Sequence, residues 1–488
     1  MPGLVGVNGF QSKMFTRWRT VRPVDADVHT IPCAQLLAHA RGAATCVEWS
    51  LGRDAGDRRL RAALLPDRIV IADAAGAAAI EVVRRATETT PPKRRALARY
   101  WSTPLLVAGL PDGVAASLTF RLFELNAVRG TFLLAQSPLA ASAVATTDPS
   151  LATSLVAETG PMVGNGAGGS YAAGSFGPGA LAGGGGEAER RYLETLELVV
   201  RQQIAQSAWL FRRRQPRLHI SYLSTADEVD HAWYGLDRAG VGRFREFRRW
   251  AYMAIDQAVQ AFTSLATPND HIIITSDHGM AAVTKLIAVD RLLDAAGLRS
   301  VASPVHSCMV LNTSDRKDGT ILPADRDAAV GRVRRALTEL RTAAGTPAVA
   351  RIYSTRDEMN ELGHDGPGGA DLCFDPVPGV GIGGSGTDAV VAEVYPPRGE
   401  HGLDPSRPDM KAILLVKGPR VGAGQSFGPL RSIAVAPLVA DLLGVQPPRN
   451  ATGVSPLAGA PLVARYPRIQ PAPLNALTKP SGRFTISR

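Results

Sequence analysis

The sequence lacks any long apolar segment. No apolar run reaches the roughly 18 to 20 residues of a membrane-spanning helix, and residues 1–30 contain no continuous apolar core of a secretory signal. We therefore expect a soluble, cytoplasmic protein with no membrane span. Residues 1–24 carry four basic residues and no acidic one, so they weakly resemble an organellar presequence. An ordinary basic tail is the alternative.

Cysteine is also scarce. The chain has four cysteines, with no CxxC pair and no dense spacing: Cys33, Cys46, Cys308 and Cys373. This pattern excludes a disulfide-rich scaffold and the common zinc-ribbon arrangements. We predict four reduced thiols.

Charge gives little specific information. Charged residues make up 20% of the 488 residues and hydrophobic residues 45%, which is typical of a folded globular protein. The net charge of +10 could steer anionic substrates towards a cleft. The basic residues are scattered, however, and no nucleic-acid-binding motif accompanies them.

The chain divides into an accessory unit and a larger domain. Residues 1–100 form an N-terminal α/β unit of unknown role that contains a short buried strand at 67–73, and 89–95, with paired prolines and exposed charges, reads as a linker. From 103 to 460, apolar strands alternate with amphipathic helices. This alternation predicts an α/β fold whose central sheet is mostly parallel, with helices on both faces. The strands that we expect are 104–110, 217–222, 271–275 and 411–416.

Other segments between and after these strands have clear signatures. Apolar residues recur at helical spacing over 242–265, which predicts a long crossover helix. The very glycine-rich stretch 160–186 is expected to be a mobile insertion, as a lid or as a plain disordered loop. A helix over 432–443 should stop at Gly444, and 461–488 reads as a C-terminal tail.

Polar residues that could do chemistry follow three of the strands. In open α/β sheets, ligands bind beyond the carboxyl ends of the strands. Asp227 and His231 are spaced i, i+4, so a helical turn would place them side by side. Carboxylate and imidazole ligands together suit Zn²⁺ or Mn²⁺ rather than Ca²⁺. Each pair alone could also be a solvated cap or turn. The candidates that follow strands are Asp112, Asp227, His231, Asp277 and His278.

The order of these residues carries a resemblance. Residues 272–280 (Ile-Ile-Ile-Thr-Ser-Asp-His-Gly-Met) closely resemble the signature strand of the type I phosphodiesterase/nucleotide pyrophosphatase branch of the alkaline phosphatase superfamily. Residues 399–419 resemble that family's last metal histidine and the following strand, and 227–231 its middle ligand pair. At the front, 105–113, 129–132 and 146–165 follow the family's plan.

The resemblance implies a fold and a set of site residues. It implies an alkaline phosphatase-like α/β domain over about 103–460. One divalent ion would be held by Asp227, His231 and His401, and a second by Asp112, Asp277 and His278 beside the nucleophile. The ions would be Zn²⁺, with Mn²⁺ as the alternative. The nucleophile would be Thr147, which would also be a metal ligand, with Thr146 and Ser150 as fallbacks.

The implied reaction is hydrolysis of a small phosphate ester through a phospho-enzyme. Phosphodiester or pyrophosphate substrates and monoesters both remain open, because the pocket walls between the motifs decide between them. A sulfatase is disfavoured, since its Cys/Ser-x-Pro-x-Arg signature is not found around Thr147. The alternative from another class is a catalytically silent member of the superfamily that serves as a structural or assembly subunit.

Overall fold

A computed structural model describes residues 14–36, 42–43, 45–73, 78–111, 116–141, 149–364, 368–384 and 388–458. Asp112, Thr146, Thr147 and the predicted tail 461–488 lie outside these residues. The described residues form a mixed α/β fold with nine α-helices and twenty strands. None of these helices is long and apolar enough to cross a membrane.

The helices within the described ranges are α1 Pro149–Thr159, α2 Ala167–Ala172, α3 Glu187–Arg214, α4 Thr225–Arg238, α5 Gly242–Thr263, α6 Val289–Ala295, α7 Arg326–Glu339, α8 Arg356–Glu361 and α9 Val435–Leu443. The strands are β1 Arg19–Val21, β2 Val28–Ile31, β3 Thr45–Ser50, β4 Arg59–Leu64, β5 Arg68–Asp73, β6 Ala79–Val83, β7 Leu105–Val107, β8 Ala116–Leu118, β9 Phe120–Asn126, β10 Thr131–Gln136, β11 Ala140–Ala141, β12 Ile272–Thr275, β13 Ala281–Ile287, β14 Ala302–Val305, β15 Cys308–Leu311, β16 Val349–Tyr353, β17 Leu372–Pro376, β18 Val380–Ile382, β19 Val391–Glu400 and β20 Leu414–Lys417.

The N-terminal part is built from antiparallel sheets. Five strands pair in sequence order, β2-β3-β4-β5-β6, and two three-stranded sheets, β1-β10-β9 and β11-β8-β7, follow. Their buried faces share one core, in which Trp49 donates a hydrogen bond to Gln136 and meets Phe120 edge-on. The strand predicted at 67–73 is confirmed as β5. The described residues before Pro149 contain no α-helix, so an α/β character of this unit is not confirmed.

The later strands form small mixed sheets. β13 pairs in parallel with β18 and antiparallel with β19, whereas the sheet β14-β15-β17-β16 is antiparallel. The mostly parallel central sheet is therefore not confirmed. The strand predicted at 217–222 is absent from this described segment. His219 instead bonds through Nε2 to the Ser207 hydroxyl of α3, at 2.6 Å, which holds the segment as irregular chain.

Three long helices pack together in the middle of the chain. α3 begins with acidic residues and ends with three arginines, both favoured by the helix dipole. The predicted crossover helix is confirmed as α5, whose Phe244, Phe247 and Trp250 are buried against α3 and α4. Arg248 of α5 forms a bidentate ion pair with Asp230 of α4, at 2.7 and 3.0 Å. This pair links α4 to α5.

The glycine-rich stretch has definite structure. It contains α2 and buries Phe176, and the backbone amide of Gly168 donates a 2.9 Å hydrogen bond to the carboxylate of Glu228 on α4. Burial raises the pKa of Glu228, and the amide hydrogen bonds from Gly168 and Gly166 act against that rise. The mobility of 160–186 stays a prediction.

The prediction of four reduced thiols is wrong. Cys33 is bonded to Cys46, and Cys308 to Cys373. Strand pairing brings the partners together, because Cys308 lies directly opposite Cys373 in the antiparallel pair β15–β17. Structural disulfides are typical of oxidising compartments and do not support a cytoplasmic location. The cytoplasmic location stays a prediction.

Contacts divide the chain into two compact units. One unit comprises Met1–Leu265 and Ile274–Leu414, and the other comprises Ala266–Ile273 and Leu415–Arg488. In the second unit, α9 stops at Gly444, which has a positive φ of 65°, as predicted. The predicted boundaries at 100, 103 and 460 stay predictions.

Candidate metal centre

The first two site residues lie one turn apart on α4. The Nε2 atom of His231 is 3.5 Å from Oδ1 of Asp227. The other ring nitrogen of His231, Nδ1, lies 2.9 Å from the carbonyl oxygen of Gly399 on β19. Glycine is required at that point, since a Cβ on Gly399 would overlap the carbonyl oxygen of Asp230. The backbones of α4 and β19 therefore approach each other so closely that residue 399 has no room for a side chain.

His401 joins this pair from the end of β19. Its Nε2 atom lies 3.4 Å from the same Oδ1 of Asp227. Two ligands bound to one tetrahedral zinc ion, each about 2.0 to 2.1 Å from it, are about 3.3 Å apart. Each histidine therefore lies at nearly ligand spacing from Asp227, but among the described residues His231 is not part of the group whose donor atoms all lie within 4.8 Å of one another. A shared ion for Asp227, His231 and His401 stays a prediction.

His278 closes the cluster from the segment after β12. Its ring stacks on that of His401, with centroids 3.7 Å apart and an angle of 16° between the planes. Donor atoms of Asp227, His278 and His401 all lie within 4.8 Å of one another. The structure thus brings His278, which the resemblance assigns to a second ion, next to residues assigned to the first. How these residues divide between two ions stays a prediction.

Two of the histidines show the same hydrogen-bonding arrangement. The Nδ1 atoms of His231 and His278 each lie 2.9 Å from a backbone carbonyl oxygen. A carbonyl oxygen only accepts, so each Nδ1 donates to it, and in the neutral form of the ring Nε2 is left with a lone pair. That lone pair faces a carboxylate oxygen 3.5 Å away, on Asp227 for His231 and on Asp277 for His278.

Two acceptors facing each other repel unless a cation lies between them. Among the described residues, Oδ1 of Asp227 is a buried oxygen with no hydrogen-bond partner. Buried polar atoms without a partner are rare. Carboxylate oxygen with imidazole Nε2, and Nδ1 held by a carbonyl, is the usual environment of zinc. The residues present therefore fit a divalent ion.

The electrostatics keep His401 in the form that binds metal. Its pKa is lowered to about 4, mainly by burial and then by the neighbouring His278, whereas Asp227 acts in the opposite direction. Metal ligands must be deprotonated. His401 is therefore a neutral imidazole, available as a ligand, throughout the physiological pH range.

Acidification should destabilise the metal-free protein through His401. Its pKa is about 4 when folded, below the ordinary value of 6.5, so the unfolded chain takes up the proton first. The contribution of the neutral ring is complete above 6.5 and is lost as the pH falls towards 4. We expect the free energy of unfolding, measured with denaturant, to drop more between about pH 7 and about pH 5 in the wild type than in His401→Ala. Equal drops in both proteins would contradict this pKa.

The remaining predicted residues are only partly placed. Asp277 is 62% exposed and accepts a 3.1 Å hydrogen bond from the backbone amide of His278. Ser150 lies in α1. Asp112, Thr147 and Thr146 fall outside the described residues, so the nucleophile and part of the second ligand set have no place in this geometry.

One neighbour of the centre was missed. His306 lies in the turn between β14 and β15 with a left-handed φ of 55°, and a Cβ on Gly402 would come within 2.7 Å of its ring. Ser307 donates a 3.1 Å hydrogen bond to the carbonyl of Gly402. Burial lowers the pKa of His306. No motif includes this histidine. The sequence shows only an isolated histidine in a turn, which is too weak a signal to predict a functional residue.

A known protein family matches part of the chain. Residues 183–404 match the family model for type I phosphodiesterase / nucleotide pyrophosphatase. The matched range includes Asp227, His231, Asp277, His278 and His401, and it begins after Asp112 and Thr147. No curated protein matches the chain.

Proposed function

Residues 183–404 are a type I phosphodiesterase/nucleotide pyrophosphatase domain of the alkaline phosphatase superfamily, and from this premise we propose that the chain hydrolyses small phosphate esters with divalent ions bound at Asp227 and its histidines. The observation that carries the proposal is the unpartnered Oδ1 of Asp227, with Nε2 of His231 and of His401 at 3.5 and 3.4 Å. A divalent ion bound by these three side chains would give that oxygen a partner.

We assign the ligand sets as the resemblance implies them. Asp227, His231 and His401 would hold one ion, and His278 with Asp277 and Asp112 would hold the other. Zn²⁺ suits this donor set, and Mn²⁺ is the alternative. Divalent ions bound by these residues would neutralise the charge that develops during displacement at phosphorus.

In this proposal the chain supplies the nucleophile and orients the metal ligands. The hydroxyl oxygen of Thr147 would form a bond to phosphorus while the bond from phosphorus to the leaving-group oxygen breaks. Water would then displace Thr147 from phosphorus and restore the free hydroxyl. Gly399 and Gly279 hold the rings of His231 and His278 through their carbonyls, so these ligands are oriented before substrate arrives.

A second candidate function is supported by the limits of the match. The matched range begins at residue 183, so Asp112 and Thr147 rest on the weaker resemblance of the front segments. A catalytically silent member, kept as a structural or assembly subunit, would need neither residue. Such a protein would hydrolyse no phosphate ester, and a silent centre would bind no stoichiometric divalent ion.

The proposal is tested by hydrolysis of aryl phosphate mono- and diesters with added Zn²⁺ or Mn²⁺. We expect the wild type to turn over at least one ester class and Thr147→Ala to lose at least about 1,000-fold in kcat, since removal of a catalytic nucleophile has effects of this size or larger. Thr146→Ala and Ser150→Ala are the matched controls and should retain activity. Wild-type rates in Thr147→Ala would move the nucleophile to one of the other two hydroxyls. No hydrolysis by the wild type would overturn the proposal.

A further inference from the structure

A second cluster of metal-binding side chains lies apart from Asp227. Cys308 of β15 and Cys373 of β17 face each other, and Nε2 of His364 is 3.9 Å from Sγ of Cys308. The two sulfurs and the imidazole nitrogen all lie within 4.8 Å of one another. A tetrahedral zinc ion places its sulfur and nitrogen ligands about 3.5 Å apart. The imidazole is thus close to ligand distance.

The position of His364 is set by local structure. α8 begins with a capping box between Thr355 and Glu358 and ends at Glu361. Gly363 then adopts a left-handed φ of 76°, and the backbone amide of His364 donates a 2.8 Å hydrogen bond to the carbonyl of Met359. This closes the helix end in the manner of a Schellman motif. The backbone that presents the imidazole to the two sulfurs is therefore fixed.

The other disulfide provides a contrast. Cys33 and Cys46 pack with apolar neighbours, including Ala63, and among the described residues they belong to no metal-binding group. Cys308 and His364 are only half-buried, whereas Cys373 is 4% exposed. A reductant can therefore reach the sulfur of Cys308, which is the one beside the imidazole.

We propose that Cys308, Cys373 and His364 form a redox-controlled zinc site, which binds Zn²⁺ when the disulfide is reduced. Thiolate and imidazole ligands select zinc in proteins. A thiol reductant of the glutathione or thioredoxin class breaks the sulfur–sulfur bond by attack on Cys308. Two reductant thiols are oxidised to one disulfide. The two electrons and two protons that they give up convert Cys308 and Cys373 into thiols. Zn²⁺ then displaces the two thiol protons.

The site is joined to the candidate centre through a short stretch of chain. Ser307, next to Cys308, donates a hydrogen bond to the carbonyl of Gly402, which follows His401, and its own carbonyl accepts a 2.9 Å hydrogen bond from Phe374. Separation of the sulfurs to bind zinc would shift this turn. We therefore expect zinc binding to the reduced cysteines to change the rate of phosphate-ester hydrolysis. This expectation alone rests on the proposed function.

The test measures zinc and free thiols per chain in the full-length protein, before and after reduction with a phosphine. We expect reduction to expose thiols and to add one tightly bound zinc ion in the wild type and in Cys33→Ser/Cys46→Ser. Cys308→Ser/Cys373→Ser should gain none. His364→Ala keeps both thiols and should bind the added zinc at least about 10-fold more weakly. Replacement by Co²⁺ should give a thiolate-to-cobalt charge-transfer band that only the intact pair shows.

Several outcomes would overturn the proposal. They are an equal zinc gain in Cys308→Ser/Cys373→Ser, the absence of the cobalt band in the reduced wild type, and a disulfide that no phosphine reduces in the folded protein. None of these readouts involves phosphate-ester hydrolysis. Failure of the zinc site is therefore distinguishable from failure of the proposed function.

Discussion

Replacement of His401 by alanine is expected to lower kcat/KM for phosphate-ester hydrolysis by more than about 100-fold, since loss of a mere outer-shell partner of a metal already costs 10- to 100-fold. The variant removes an Nε2 atom 3.4 Å from Asp227 and the ring that stacks on His278. Asp227 and His231 would then hold the ion with one ligand fewer. Steady-state kinetics with added Zn²⁺ measures the effect.

The matched control for this variant is His29→Ala. His29 is an exposed histidine on β2 and belongs to no metal-binding group among the described residues. We expect it to retain the wild-type rate. A His401→Ala enzyme that works within a few-fold of the wild type would remove His401 from the centre. Loss of rate in both variants would point to a general effect of histidine loss on the fold.

Replacement of Arg121 by methionine is expected to reduce the free energy of unfolding by about 3 to 5 kcal/mol, the cost of breaking a buried ion pair from one side. Arg121 on β9 is fully buried and donates a 2.8 Å hydrogen bond to Glu194 of α3, which is also buried. Burial raises the pKa of Glu194, and Arg121 opposes that rise. Without Arg121, the carboxyl group loses its main counter-charge. Denaturant unfolding measures the loss.

A surface pair serves as the control for Arg121. Arg213 and Glu158 form an ion pair at 2.6 Å whose side chains are 58% and 48% exposed. Exposed pairs contribute about 0 to 1 kcal/mol, so Arg213→Met should change the stability by no more than that. Comparable losses in Arg121→Met and Arg213→Met would contradict the role assigned to burial.

Local periodicity predicted individual helices and strands better than it predicted how the strands pair into sheets. The apolar spacing over 242–265 predicted α5, and the run at 67–73 predicted β5. Strand pairing depends on contacts far apart in sequence, which neither pattern contains. The segment 217–222 alternates like a strand, yet in the structure its polar His219 bonds to Ser207 of α3 and no strand forms there.

Buried charges and disulfides were missed for related reasons. Paired prolines and charges marked 89–95 as a solvent-exposed linker, yet the Arg95 side chain is 3% exposed and ion-paired with Glu197 of α3. A charge run predicts solvent unless its partner is known, and this partner is about a hundred residues away. Cys308 and Cys373 are likewise 65 residues apart, and only the pairing of β15 with β17 joins them.

The site residues could be predicted where a motif showed helical spacing or directly followed a strand. The i, i+4 spacing placed Asp227 beside His231, and the resemblance added His401, which the structure brings to the same oxygen. The stacking of His278 on His401 depends on the close approach of Gly279 to the backbone around Asp409, which no local pattern encodes. His306 had no motif, and its place beside Gly402 follows from the β14–β15 turn.

Metal analysis of the purified, non-reduced protein tests the central claim most directly. Cys308 and Cys373 are joined as a disulfide in this form, so among the described residues the candidate centre is the group left to hold a stoichiometric ion. We predict at least one divalent ion per chain in the wild type and its loss in Asp227→Asn, which keeps the shape of the side chain but removes the charge. A wild-type protein that holds no ion after incubation with Zn²⁺, or an Asp227→Asn variant that holds as much as the wild type, would contradict the account.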